Sequence, residues 1–597
     1  MKELQTLVYL KLKEAFGSFR VLAGIEAHKE VTKMSKKEIK SVAIIGAGAA
    51  GLTSLFELLN TRKDGSTNLL YSADGKFDEV NTKENTDPAF QKVVVFEFKN
   101  SIGGIWSPDF DNPDFIDQKD LDSERYNKPL VLRPPTEAPT ELFDKESSFS
   151  KPLIIKGSGS SSSKTWAASG IYRQLYSNVP ERYLRNSFIP YDENAKNQNP
   201  NIAPLVSNYS VTNSLLSLAE RHGLKRFVRV NSEVAQIKKT SDGSWRVTVK
   251  KSVEGSDLVH WYNEDFDAVL VSNGHYSIPY IPLIDGLSKW VGQYPHSALH
   301  SKSFRNFDKF NNKKCVFVGT GLSGIDILQY VFPIAKKVIV SRTPNKEEVY
   351  PWLTKAATSE GLKTKPRIKE FHPTDNREVV FQDGTVEEDV DYIIFSTGYH
   401  WHYPFLDDEV SHLSIKKSGQ KVLEDSASMV DGLFLDTFSI DDPSLAFVGI
   451  TITPLKWPSF ELAASAIAGV WTNSSSLPSK DDQLSDNEQR KKETGENLFF
   501  HYFPPEIIKE HLARLAPFLP KGRKATDIID LEHLSDFEKA AQVAERLFYQ
   551  LKNEEIQLRE TYDVQTICFV VLQVLHINVG KSISSVTKVF TTGIVVH

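Results

Sequence analysis

Two glycine clusters carry the chemistry that this chain's residue pattern can support. Gly46, Gly48 and Gly51 are spaced G-x-G-x-x-G, and so are Gly319, Gly321 and Gly324. In that spacing the first glycine permits a tight turn and the second removes the side chain that would block a pyrophosphate. The third lets a helix pack closely on a strand. The free N–H groups and positive dipole end of that helix then face the phosphates. Glycine clusters also make plain turns, so the flanking residues decide the reading. Glu97 ends the apolar run 93–96, where a carboxylate accepts hydrogen bonds from a ribose. The equivalent run 338–340 ends in Ser341 and Arg342, with no acid. A cation there accommodates a 2′-phosphate and favours NADP over NAD; the alternative is a solvated surface arginine. Residues 101–106 read SIGGIW. Gly104 allows close backbone approach and Trp106 offers a flat apolar face, the alternative being a turn and a core tryptophan.

Residues 42–45 and 315–318 are short apolar runs that suit buried parallel strands. Apolar residues at helical spacing follow each cluster: Leu52, Leu55, Phe56 and Leu59 after the first, and a helix from Ile325 after the second. The pattern predicts an α/β fold with two Rossmann-like dinucleotide-binding domains, an FAD domain with an inserted NADPH domain, and a helical C-terminal extension. The expected boundaries are 1–40 for an N-terminal extension, 41–280 and 398–475 for the FAD domain, 281–397 for the NADPH domain and 476–597 for the extension. Two nucleotide units, one ending in an acid and one in a base, are most economically explained by FAD and NADP exchanging a hydride.

Between these units, residues 61–89 are polar and read as a surface insertion, and 107–164 as a Pro-rich loop or flexible insertion ending in GSGSSSSK. Residues 215–223 suit a short amphipathic helix. Residues 227–230, 232–238 and 245–250 suit a strand meander, with a turn at 241–244. The run 268–274 is a buried strand ending in Asn273-Gly274, and 392–399 is an apolar strand followed by the small-residue turn at Thr397 and Gly398. Residues 447–461 form a strand and loop leading into an alanine-rich helix. The polar stretch 473–496 reads as mobile, and 499–560 as helical.

The chain has 597 residues, 40% hydrophobic and 25% charged, which describes an ordinary globular protein of several domains. A net charge of -6 argues against nucleic acid as a partner. Cys315 and Cys568 are the only cysteines, so a disulfide framework, a C-x-x-C pair and a zinc cluster are all excluded, and no metal is expected. A reducing compartment fits best. No signal peptide is read in the first 40 residues, where Met34 could be the functional start, and the apolar run 567–575 is too interrupted to span a membrane. Peripheral membrane contact is left open there. The expected location is cytoplasmic, with a peripheral place at the endoplasmic reticulum as the alternative.

In order and spacing, the motifs GAGAAG at Gly46, GGIW at Gly103, SGIY…SNVP at residues 169–180, NGHYSIPYIP at Asn273, HSKSF at His300, GTGLSG at Gly319 and FSTGY at Phe395 resemble the flavin-containing monooxygenases, especially fungal members. The resemblance covers roughly residues 41–472. The family fingerprint F-x-G-x-x-x-H-x-x-x-(F/Y) is altered here: Tyr294 replaces its Phe and His296 its Gly, while His300 and Phe304 match. In such enzymes NADPH reduces the flavin, O₂ adds to form a C4a-hydroperoxyflavin, and a thiol, sulfide or amine takes the distal oxygen. The resemblance implies that Asn178 is the catalytic polar group at the flavin edge, the alternative being a turn-capping asparagine. It also implies cofactor contacts at Asn273, His300, Thr397 and Gly398; for His300 a core histidine is an equal alternative. The implied partners are a small nucleophilic substrate and O₂, with a homodimer left open. A Baeyer–Villiger or N-hydroxylating monooxygenase is the rival enzyme class, although Baeyer–Villiger fingerprints usually end in Trp where Phe304 stands. A non-catalytic redox-sensing flavoprotein is the rival of another class.

Overall fold

A computed structural model describes residues 38–558, apart from 73–74, 108–114, 145–146, 158–164, 190–198, 347, 375, 407–412 and 418–426. The expectations for the N-terminal extension, the serine-rich end of the 107–164 loop, Cys568 and the run 567–575 fall outside these residues.

The first unit begins with β1 (Ser41–Ile45), followed by α1 (Ala49–Leu59) and β2 (Lys92–Phe96). β1 is an interior strand of a seven-stranded sheet. It pairs in parallel with β2 on one side and with β3 (Ala268–Val271) on the other, Ile45 standing opposite both Phe96 and Val271. Strands buried on both faces need no polar alternation, which is why these segments are nearly continuous Val, Ile and Ala. Beyond β3 the sheet is completed by Leu445–Phe447, parallel, and by the hairpin of Leu433–Phe434 and Phe438–Ser439. The first unit is therefore built from both ends of the described chain.

The second unit is contiguous. Its all-parallel five-stranded sheet has the order Ala298–His300, Tyr392–Phe395, β4 (Lys314–Val318), β5 (Lys337–Ser341) and Lys363–Lys365. The helix after its glycine turn is α2 (Leu322–Val331). The chain crosses between the units at Ile278–Pro279 and returns at Tyr399–His400, and these two short strands pair antiparallel. His296, where the family fingerprint has glycine, has φ +64°, the left-handed conformation that glycine adopts freely.

α3 (Lys456–Trp471) packs on α1 and is buried around nearly its whole circumference. Its small residues Ala463, Ala464, Ala466 and Ala468 let the helices approach closely within the largest apolar cluster. After it come α4 (Lys480–Thr494), α5 (Pro505–Leu515) and α6 (Ser535–Lys552).

Four segments differ from expectation. Residues 473–496, read as mobile, contain α4. Ser479 caps it by accepting from the Asp482 N–H, Asp481 and Asp482 complement its positive end, and Lys491 and Lys492 its negative end. An apolar stripe was the missing signal; α4 is held instead by polar contacts such as Asn487 Nδ2 donating to the Leu433 carbonyl at 2.9 Å. Within 107–164, Leu153–Lys156 forms the edge of an antiparallel sheet with Leu258–Phe266, Trp245–Ser252 and Ser232–Lys239. The 61–89 insertion is fastened to the tail, with Thr67 N–H and Lys521 N–H donating to the Lys521 and Gly65 carbonyls at 2.9 Å each. The helix read at 215–223 begins earlier, as Asn208–Arg221.

Candidate active site

The two glycine turns are built alike. Gly46 has φ +101° and Gly319 φ +95°, and a Cβ at either would press into the carbonyl of Ser272 or Ser396. A Cβ on Gly51 would come within 1.9 Å of the Gly46 carbonyl oxygen, and one on Gly324 within 2.6 Å of that of Gly319. No substituent fits there, so these two glycines set how closely helix and strand approach. α1 and α2 begin at Gly48 and Gly321 with no capping side chain and no acid in the first turn. Their N-terminal N–H groups are thus left to an anion. A Cβ on Gly48 would meet no protein atom nearer than the Gly104 Cα at 3.6 Å, and one on Gly321 nothing within 4 Å. Among the described residues, neither position is blocked by an atom closer than ordinary van der Waals contact.

Both turns open on a single cleft of about 600 Å³. Gly46, Gly48, Glu97, Gly104 and Trp106 line it from the first unit, and Gly321, Leu322 and Lys346 from the second. Asn178 and Asn273 line it too. Glu97 is buried; its carboxylate accepts from the N–H of Ala47 at 2.8 Å and of Lys99 at 2.9 Å. Burial raises its pKa, against the pull of those N–H donors. Each carboxylate oxygen keeps a lone pair for a further donor. Asn178 is exposed to the cleft and its carboxamide has no hydrogen-bond partner among the described residues. Local capping falls to its neighbour, Ser177 Oγ donating to the Val179 carbonyl at 2.8 Å.

Other residues named from sequence lie off the cleft. Gly51, Gly319 and Gly324 sit beneath the turns. Ser341 Oγ donates to the Pro366 carbonyl at 3.0 Å, so its hydroxyl is already engaged. Arg342 Nη2 donates to the carbonyl of Lys346, which itself reaches the cleft. Thr397 donates to the Tyr280 carbonyl, and Gly398, whose carbonyl accepts from Tyr280 N–H, has φ +87° at the crossing between the units. His300 is buried in a separate cavity of about 10 Å³ with Lys302 and Arg305, and its Nδ1 accepts from the Lys302 N–H at 3.1 Å. Burial and then Lys302 hold the His300 imidazole down to about 3.

Sequence reasoning passed over other residues of the cleft. Lys456, the first residue of α3, donates to the carbonyls of Gly449 at 3.1 Å and Thr451 at 2.6 Å; burial lowers its ammonium to about 7. Burial and Lys456 push His275 well below its ordinary value. Trp457 and Phe460 add to the apolar wall begun by Trp106, and the tail contributes Leu498, Phe499 and Tyr502. A lysine entering an apolar helix was the one visible signal among these.

Uncapped helix ends for two pyrophosphates, an acid beside the first, substituent-free space over both turns and a tryptophan-rich wall fit a flavin dinucleotide with a second nucleotide. Among the described residues no cluster of His, Cys, Asp and Glu could hold a metal, and no helix is long and apolar enough to cross a membrane.

The family model of flavin-binding monooxygenase-like proteins matches residues 161–352 and 351–510, more than half the chain. The protein belongs to that family. It is thus a flavoprotein monooxygenase, an oxidoreductase. It is 27% identical over 453 residues to the Arabidopsis thaliana flavin-containing monooxygenase FMO GS-OX5, covering 75% of this chain and 77% of that one. To FMO GS-OX-like 3 of the same plant it is 28% identical over 448 residues, covering 74% and 78%. Among solved structures, the S-allyl-L-cysteine S-oxygenase of Allium sativum superposes with a TM-score of 0.58 at 23% identity, over 90% of this chain and 98% of that one. Tmm from Pelagibacter sp. strain HTCC7211 gives 0.57 at 19% identity, over 86% and 91%. Both are likenesses of fold, and they agree with a flavin-binding monooxygenase built from two α/β units.

Proposed function

We propose that this flavin-binding monooxygenase uses FAD in the first unit and NADPH in the second to oxygenate a soft nucleophile: a thiol, sulfide or amine. One observation carries the reading. A single cleft joins two uncapped helix N-termini, each behind a glycine turn with room for a ligand beside it.

The chemistry that FAD supplies when bound and reduced by NADPH is the activation of O₂ and transfer of one oxygen atom. The protein's part is binding, orientation and exclusion of water. The N–H groups at the start of α1 and α2 would hold the two pyrophosphates. Glu97 would accept from ribose hydroxyls, its carboxylate already fixed by the Ala47 and Lys99 N–H groups. Trp106, Trp457 and Phe460 provide an apolar wall that keeps water from the reacting atoms. The carboxamide of Asn178 is a polar group that lines the same cleft. Arg342, through the loop bearing Lys346, would favour the 2′-phosphate of NADPH.

Among possible nucleophiles, sulfur is the first to test, since the Allium sativum neighbour is named an S-oxygenase. The test is NADPH-dependent oxygen uptake by the purified protein with thioanisole, and separately with cyclohexanone. Sulfoxide formed in proportion to NADPH consumed is the expected result. Ester from the ketone without sulfoxide, or no oxygen uptake with any nucleophile, would overturn the proposal.

A further inference from the structure

The helix behind the second glycine turn is tied to the segment that carries Asn178. Asp326, Gln329 and Tyr330 lie at i, i+3 and i+4 on α2 and so share one face. That face meets residues 172–176 in a buried polar cluster. The Tyr172 hydroxyl donates to Asp326. Gln329 Nε2 donates to the other oxygen of Asp326 at 2.9 Å, and its Oε1 accepts from the Tyr176 hydroxyl at 3.0 Å. The Tyr330 hydroxyl donates to the Gln174 carbonyl at 3.0 Å. The three tyrosines and Gln329 are each less than a tenth exposed. Breaking any of the three tyrosine bonds in place would strand a buried hydroxyl, so segment and helix move together. The segment then turns at Ser177, whose Oγ accepts from the Val206 N–H at 3.0 Å, and delivers Asn178 to the cleft.

The same helix starts at Gly321, in the cleft, with its N–H groups free for an anion. One rigid element therefore has its N-terminus at the second nucleotide site and its side against the segment leading to Asn178. We infer that Asp326 is a positioning residue: with Gln329 and Tyr330 it makes the placement of Asn178 depend on whether the second nucleotide is bound to α2. Neither the glycine motif nor Asn178 alone implies this dependence. The inference rests on the second unit's being the NADPH site, as proposed above.

The test is amide hydrogen exchange of the full-length, FAD-loaded protein with and without saturating NADP⁺, NADP⁺ binding being followed independently by tryptophan fluorescence. In the wild type NADP⁺ should slow exchange across residues 172–178 by about tenfold, the scale of one lost hydrogen bond. In the Tyr172→Phe, Tyr176→Phe double variant, which keeps both rings and the Tyr330–Gln174 bond, NADP⁺ should bind but slow exchange there far less than in the wild type. The same variant should release more of its NADPH electrons as hydrogen peroxide. Tyr172→Phe alone, which removes one hydroxyl, should lose part of the protection and serves if the double variant does not fold. Binding of NADP⁺ with no change at 172–178 in the wild type, or undiminished protection in the phenylalanine variants, would overturn the inference alone. Wild-type protein that does not bind NADP⁺ would overturn the proposed NADPH site, and this inference with it.

Discussion

Arg523 Nη2, from the tail, lies 2.9 Å from Glu57 Oε1 on α1, and both side chains are buried. The same nitrogen meets Glu461 on α3, and the guanidinium lies 4.6 Å from the centroid of the Tyr71 ring. One cation thus serves two carboxylates beneath the first nucleotide unit. Burial, opposed by Arg523, leaves the Glu461 carboxyl above its usual range. Arg523→Met strands the two acids against each other and should cost ~3–5 kcal/mol. The checks are the thermal midpoint and the FAD content of the purified variant, both expected to fall. Replacing all three by Leu, Leu and Met should restore most of the stability, since a buried ion cluster gains little over an apolar one.

Gly51 and Gly48 should fail in different ways. Gly51→Ala places a methyl 1.9 Å from a backbone oxygen, so the turn itself must give way and little folded protein should be recovered. Gly48→Ala meets no protein atom within 3.5 Å, so circular dichroism and melting should stay near wild type while flavin absorbance is lost. Full flavin in Gly48→Ala would place the pyrophosphate elsewhere.

Asn178→Leu should leave stability within ~0.5 kcal/mol, because the carboxamide has no partner among the described residues and is exposed. NADPH oxidation should continue, with electrons appearing as hydrogen peroxide instead of oxygenated product. Unchanged coupling of NADPH to product would remove Asn178 from the reaction.

Arg342→Ala should weaken NADPH binding by about tenfold and leave NADH nearly unaffected, the scale of one charge-assisted hydrogen bond. The guanidinium already donates to Lys346, so part of the loss would act through that loop. Stopped-flow reduction with each nucleotide separates the cases. Equal losses for both would reduce Arg342 to a support of the loop.

His296 sits at φ +64°, a conformation costing an L residue ~1–2 kcal/mol. His296→Gly relieves that cost, but frees the unfolded chain and loses the ring contact to Phe115 at 5.1 Å. A gain of about 0.5 kcal/mol or less is expected in melting, while His296→Val should lose ~1–2 kcal/mol because a β-branched residue tolerates this region worst. A destabilised glycine variant would show that the imidazole itself is needed.

What could be read from the sequence was what a few adjacent residues determine. The two glycine turns, the strands before them and the acid at Glu97 are local in sequence and were legible. The remainder of the cleft was not, because Lys456, His275 and Phe499 reach it only through tertiary packing. α4 was missed because it has caps and charges but no apolar stripe. His300 stayed open between two readings, because a histidine in a family motif says nothing of whether its ring faces a cleft or accepts from its own chain two residues on; here its Nδ1 accepts from the Lys302 N–H. His296 marks the opposite lesson, since a histidine there takes the left-handed conformation that glycine adopts freely.

The order in which the first sheet is assembled bears on how the protein is made. Its interior strand β1 is near the start of the described chain, yet Leu445–Phe447 must arrive before that sheet is complete, whereas the second unit is one unbroken stretch. During synthesis the second unit can close while the first is still open. Glu57 waits longest, for an arginine 466 residues downstream. At about 5–20 residues per second on the ribosome, that is roughly 25–90 s with a buried-type carboxylate unpaired. Among the described ion pairs, that of Glu57 on α1 spans the longest stretch of nascent chain.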